Sequence, residues 1–183
     1  ITDNDTAGVT ITQTGTTDIT EGGATDSYTV VLTSQPSSDV TISFGAGAQV
    51  NAISNITFTN TNWNTAQTIT VSAIDDTVYE GMHSDTITHT VTSGDSNYNG
   101  IVIPSITVNI ADNESLPTLQ FAATTSNSTD ESSATRNITV TLSNAASQNI
   151  TVTVTDTTGV GAGLAISNID YATLSSPFTL TFS

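Results

Sequence analysis

The strongest constraint on this chain is that it repeats itself. Ile1-Thr2-Asp3-Asn4-Asp5 returns as Ile110-Ala111-Asp112-Asn113-Glu114. Val9, Ile11, Glu21, Leu32, Val40, Ile42 and Phe44 return as Leu119, Phe121, Glu131, Leu142, Ile150, Val152 and Val154, about 110 positions later. A period of that length is one domain, so the 183 residues read as a slice of a tandem array. Residues 1–5 are expected to be the tail of a preceding repeat, 6–114 a complete repeat, and 115–183 the first part of the next, lacking its last strands.

Within the complete repeat, Val, Ile, Thr and Phe alternate with polar residues over short runs at 9–14, 27–33, 40–44, 55–59, 67–73, 85–92 and 101–110. Clusters of Gly, Asn, Asp and Ser separate the runs, and helical periodicity is absent. Seven such runs in one repeat predict an all-β fold: tandem immunoglobulin-like sandwiches of two packed antiparallel sheets, the second incomplete. Alternate apolar positions, such as Ile69, Val71 and Ala73, or Ile106, Val108 and Ile110, should face the core.

Seventeen Asp and Glu stand against a single Arg136 and no Lys, for a formal charge of -16. Nucleic acid and anionic membrane both demand a basic face and are excluded as partners. No run of eighteen apolar residues occurs, so no membrane insertion is expected. With no cysteine, disulfides and thiolate chemistry are unavailable, which leaves metal ions as the local cross-link. The combination suggests a bacterial cell-surface or other extracellular repeat protein.

The acids are not spread evenly. Asp75-Asp76-Thr77-Val78-Tyr79-Glu80 falls in one connection and Asp112-Asn113-Glu114 ends the last run. Were the strands to alternate up and down, these segments and Glu21 would gather at one pole, leaving only Asp39 and Asp95 at the other. Asp and Asn favour turns in any protein, so each acidic run alone would be a solvated loop. Three runs converging would repel unless a cation or protons lay among them. Calcium, which takes six to eight oxygens, is the expected cofactor. The expected ligands are Glu21, Asp75, Asp76, Glu80, Asp112 and Glu114, with Val78 offering its carbonyl. Asp3, Asp5 and Asn113, and Glu131 of the next repeat, are weaker candidates.

At Ile19-Thr20-Glu21-Gly22-Gly23, at Ile74-Asp75-Asp76-Thr77-Val78-Tyr79-Glu80-Gly81, at Ile110-Ala111-Asp112-Asn113-Glu114, and at Asp170-Tyr171 followed by Phe178–Phe182, the chain resembles the Calx-β family. That family is named for sodium–calcium exchangers and is common as repeats in large bacterial surface proteins. The resemblance implies that Glu21, Asp75, Asp76, Glu80, Asp112 and Glu114 bind one or more calcium ions, with Asp170 of the next repeat a weaker candidate. Two departures imply fewer or weaker sites. Segment 45–54 holds no acid where the family has Asp-Tyr, and His83 stands where a further Glu is often found.

Other chemistry is poorly supported. A transition-metal trio of Glu80, His83 and His89 is set aside, because one His borders a turn and the other lies within a strand; both read as structural. Trp63 reads as a cap on the core rather than a sugar platform. No Gly-x-Ser-x-Gly elbow occurs, and the short loops leave no cleft for a glycosidase pair, so no enzyme is expected. The expected function is a calcium-stiffened spacer or stalk whose partners are neighbouring repeats of the same chain. The alternatives are a self-associating filament or sheath protomer and a glycan-binding adhesin module.

Overall fold

The computed structural model describes residues 5–122, 139–154 and 178–182, and there every regular element is a strand. None of the described residues lies in a helix long and apolar enough to cross a membrane. The chain divides into two compact units, Ile1–Asp76 with Gly81–Glu114, and Thr77–Glu80 with Ser115–Ser183.

The first unit is built from β1 (Val9–Gln13), β2 (Thr17–Thr20), β3 (Asp26–Leu32), β4 (Val40–Gly45), β5 (Ile56–Phe58), β6 (Gln67–Val71), β8 (His83–Ser93) and β9 (Ile106–Ala111). β7 (Val78–Tyr79) falls in the short segment that belongs to the second unit. One sheet has the order β1-β3-β6 and the other β2-β9-β8-β4-β5. Successive side chains on a strand point to opposite faces, so each strand gives alternate residues to the space between the sheets. Tyr28, Val30, Leu32, Ile69 and Val71 enter from the first sheet. Val40, Ile42, Phe58, Ile87, Val91, Ile106, Val108 and Ile110 enter from the second, in one apolar cluster. Each fully buried Val, Ile or Phe contributes about 1.5–3 kcal/mol of transfer free energy. Trp63 packs half-buried against this cluster, as a cap would.

The structure corrects the simple up-and-down order at its start. The first run does not end in a hairpin turn. Gly15, at φ 85°, redirects the chain, and Thr17 and Ile19 then enter the core as part of β2. β2 belongs to the opposite sheet and pairs parallel with β9, with Thr17 opposite Val108 and Thr20 opposite Ala111. Glycine adopts this backbone without the Cβ penalty other residues meet, which is why the switch falls there. The last run is also shorter than expected. Pro104 has no N–H to give a ladder, and the strand begins only at Ile106.

At the far end of β8, Asp95 is 7% exposed and is held by backbone donors. Its Oδ2 accepts from Ser37 N at 2.8 Å and its Oδ1 from Asn97 N at 2.9 Å. These bonds, the Ser37 backbone bond foremost, hold its carboxyl below the usual carboxylate range. That end satisfies its negative charge with the protein's own donors.

In the second unit, β10 (Leu119–Phe121) pairs with β11 (Val140–Leu142), placing Leu119 opposite Leu142 and Phe121 opposite Val140. This is the register of Val9 on Leu32 and Ile11 on Val30 in the first unit. β13 (Ile150–Val154) pairs with β14 (Phe178–Phe182) as β4 pairs with β5, and β12 (Ala145–Ala146) runs parallel to β7. The described residues of this unit thus form three two-stranded ladders, and Phe121 is 57% exposed.

Candidate metal centre

The parallel β2–β9 pair decides where the centre lies. Parallel neighbours end at the same edge, so Glu21, just after β2, emerges beside Asp112, just after β9; Glu21 N donates to Ala111 O at 3.0 Å. The third segment arrives after β6. There Val50 and Ala73 form a bridge and Ile74 N donates to Gln49 O at 2.9 Å, which fixes the backbone just before Asp75 and Asp76.

Backbone and side-chain contacts tighten the three segments against each other. Asn113 Nδ2 donates to Asp75 Oδ1 at 2.9 Å. Gly22 sits against this pair at φ 57°, and a Cβ added to it would lie 2.8 Å from both Asn113 Nδ2 and Asp75 Oδ1. Glycine is therefore required twice over, by backbone conformation and by space. Asp112 accepts from Gly81 N through Oδ2 and from Glu114 N at 2.8 Å through Oδ1, which folds the acidic triplet back on itself. Gly81 reaches it at φ 70°.

One carboxylate oxygen each from Glu21, Asp76 and Glu114 lies within 4.8 Å of the others. Glu21 is only 2% exposed, whereas Asp76 is exposed and Glu114 half-buried. Two oxygens bound to one calcium at about 2.4 Å stand at most about 4.8 Å apart, so the cluster fits a shared calcium ion. A buried carboxylate beside two others is otherwise costly, because desolvation and repulsion act in the same direction. Glu114 feels its own neighbours as well, and its carboxyl is pushed up to about 7. The largest cause is its hydrogen bond with the Asp112 side chain; desolvation and repulsion from Asp112 and Glu21 follow. Near neutral pH a proton on Glu114 thus relieves the crowding that a cation would relieve more completely.

His83, expected to be merely structural, stands beside Glu21. Its Nδ1 is 2.9 Å from Gly81 O, and its Nε2 is 3.7 Å from Glu21 Oε1. His89, six residues along β8, does not join it. Its Nε2 meets Tyr28 OH at 3.0 Å, and its ring packs edge-on to Tyr28 and Phe44, with centroids 5.9 and 5.5 Å away. Burial lowers its basicity. The only signal in the sequence was the place of His83 beside the acidic turn, because the parallel pairing that brings it to Glu21 is not encoded in local periodicity.

Val78 and Glu80 belong to the segment that groups with the second unit, where Val78 is opposite Ala145 in a parallel ladder. Asp5 is at the other end of β8 from His83, lining a polar cavity of about 500 Å³ with Ser34, Gln35, Asp95, Asn97 and Tyr98. Asp3, Glu131 and Asp170 lie outside the described residues. The acid-free segment 45–54 instead rests on Asp85, whose Oδ2 accepts from Gln49 N at 2.8 Å; Gly47 leaves no room there for a Cβ.

No protein-family model matches the chain, and no curated protein does. Among solved structures, the chain is similar to CBD12 from CALX1.2, with 16% identity and a TM-score of 0.41, over 56% of this chain and 43% of that one. It is also similar to the apo-form Calx CBD1 domain, with 17% identity and a TM-score of 0.41, over 57% of this chain and 97% of that domain. The chain spans less than half the length of the first. Likeness at this level does not bear on function, which has to be read from the residues themselves.

Proposed function

We propose that this chain is a calcium-binding, non-enzymatic structural module of a repeating extracellular protein. The observation that carries the reading is the meeting of Glu21, Asp76 and Glu114 from three distant segments within the span of one calcium ion, with Glu21 buried. Glu21, Asp76 and Glu114 would hold the ion, and Asp112, fixed by two backbone donors, stands next to them. The ion would supply the positive charge this pole lacks.

The mechanical effect follows from where the ligands sit. Glu114 is the last residue of the first unit, so an ion held by it restrains residues 112–115, where the chain leaves the sandwich. Without the ion, carboxylate repulsion loosens that exit. A spacer stiffened in this way suits an extracellular setting, where modules bind calcium with dissociation constants of about 10⁻⁴–10⁻³ M. The motif resemblance to Calx-β repeats agrees with the reading.

Thermal unfolding with calcium and with a chelator tests it. An ion that binds only the folded state adds about 2.7 kcal/mol at a hundredfold excess over Kd. For a unit of this size the melting temperature then rises by roughly 10–20 °C. An identical melt in calcium and in chelator refutes the proposal.

Self-association into a filament is a second reading. It is favoured by Leu119 and Phe121, large apolar side chains that lie exposed on β10. Electron microscopy of the purified chain tests it, and monodisperse particles with no end-to-end or lateral contacts would dismiss it.

A further inference from the structure

His83 alters what the centre can hold. Gly81 O can only accept a hydrogen bond, so the 2.9 Å contact places the imidazole hydrogen on Nδ1 of the neutral ring. The lone pair then belongs to Nε2, which stands 3.7 Å from Oε1 of the buried Glu21. A backbone carbonyl fixing one ring nitrogen so that the other is presented to a metal is the usual support of a metal-bound histidine. The spacing also fits. Two donors with bonds of about 2.1 Å to one ion are 3.7 Å apart when they subtend roughly 120° at it.

Calcium takes oxygen almost exclusively, whereas imidazole nitrogen suits zinc and its neighbours. From this geometry we propose that His83 is a specificity-determining residue. It makes the Glu21 end of the centre selective for a borderline divalent ion of the zinc class over calcium. The inference rests on the cation-site reading above and refines which ion is taken. Glu21 then serves two sets of neighbours: its carboxylate groups with the oxygens of Asp76 and Glu114 and also approaches the nitrogen of His83. His83 is 18% exposed, so water can reach the ion and complete its coordination.

The test uses the full chain, isotope-labelled on the histidine rings, at pH 7.5, titrated separately with zinc and calcium. The chain has two histidines, and His89, bonded to Tyr28, is the internal control. One equivalent of zinc is expected to shift the Nε2 resonance of His83 into the range of metal-bound nitrogen and leave His89 in place. His83→Ala should weaken zinc binding at least tenfold, the lower limit seen when even an outer-shell partner is lost. His83→Glu, which keeps a ligand and makes the set all oxygen, should reverse the preference toward calcium and shows that the site still folds. Zinc that binds without moving the His83 ring, or that binds His83→Ala as tightly as the parent, overturns the proposal while leaving the calcium reading intact. Failure of both ions to raise the melting temperature overturns both.

Discussion

If the centre takes calcium as proposed, Glu114 makes that binding depend on pH in a way that can be worked out beforehand. Its carboxyl is raised to about 7 by the Asp112 hydrogen bond, desolvation and the nearby negative charges. Calcium needs the carboxylate, so binding must expel the proton. With a midpoint near 7, the group is about 90% protonated at pH 6, half at pH 7 and about 10% at pH 8. The dissociation constant for calcium should therefore be about tenfold larger at pH 6 than at pH 8, with little further change above pH 8. Near pH 7, each calcium bound should release about half a proton. Isothermal titration calorimetry in buffers of contrasting ionisation enthalpy measures both quantities. In Glu114→Gln, which cannot titrate, calcium binding should be weaker and its dependence on pH flatter. A parent protein whose affinity is the same at pH 6 and pH 8, with no proton release, would refute both the role of Glu114 as a ligand and its protonation in the ion-free site.

Three further outcomes follow from the same structure. Without calcium, the raised Glu114 carboxyl binds its proton more tightly folded than unfolded, where its ordinary value is 4.5. Its stabilisation is complete below about pH 4.5 and lost as pH rises through about 7, so chelated protein should melt lower at pH 7.5 than at pH 5, and Glu114→Gln should lessen the difference. Gly22→Ala forces a Cβ against Asp75 and Asn113 from a left-handed backbone, which costs about 1–2 kcal/mol from conformation alone; chemical denaturation should show that loss, and calorimetry weaker calcium binding. Phe58→Ala empties a fully buried position between the sheets and should cost about 3–5 kcal/mol, read as a lower denaturation midpoint with an unchanged slope.

Much of the fold was legible because period-2 patterning is local. The runs around β3, β4, β6 and β8 stand where alternation put them, and the repeat offset anticipated the matching registers of β1–β3 and β10–β11. The switch at Gly15 was not legible, because Thr14-Gly15-Thr16 reads equally well as a hairpin turn, and only Thr17 and Ile19 meeting the core of the opposite sheet resolves it. The meeting of Glu21, Asp76 and Glu114 could be anticipated from the positions of their turns. The near-complete burial of Glu21 and its approach to His83 could not. Both depend on β2 lying parallel to β9, a long-range pairing that no short window of sequence reports.

That parallel pairing also has a mechanical consequence. β2 lies close to the start of the first unit and β9 at its finish, joined side by side from Thr17–Val108 to Thr20–Ala111. Tension between the two termini of the unit drags these neighbours past each other along their length. Their hydrogen bonds are then loaded together in shear and cannot be unzipped one at a time. The sandwich is clamped along the line on which a stretched tether would pull.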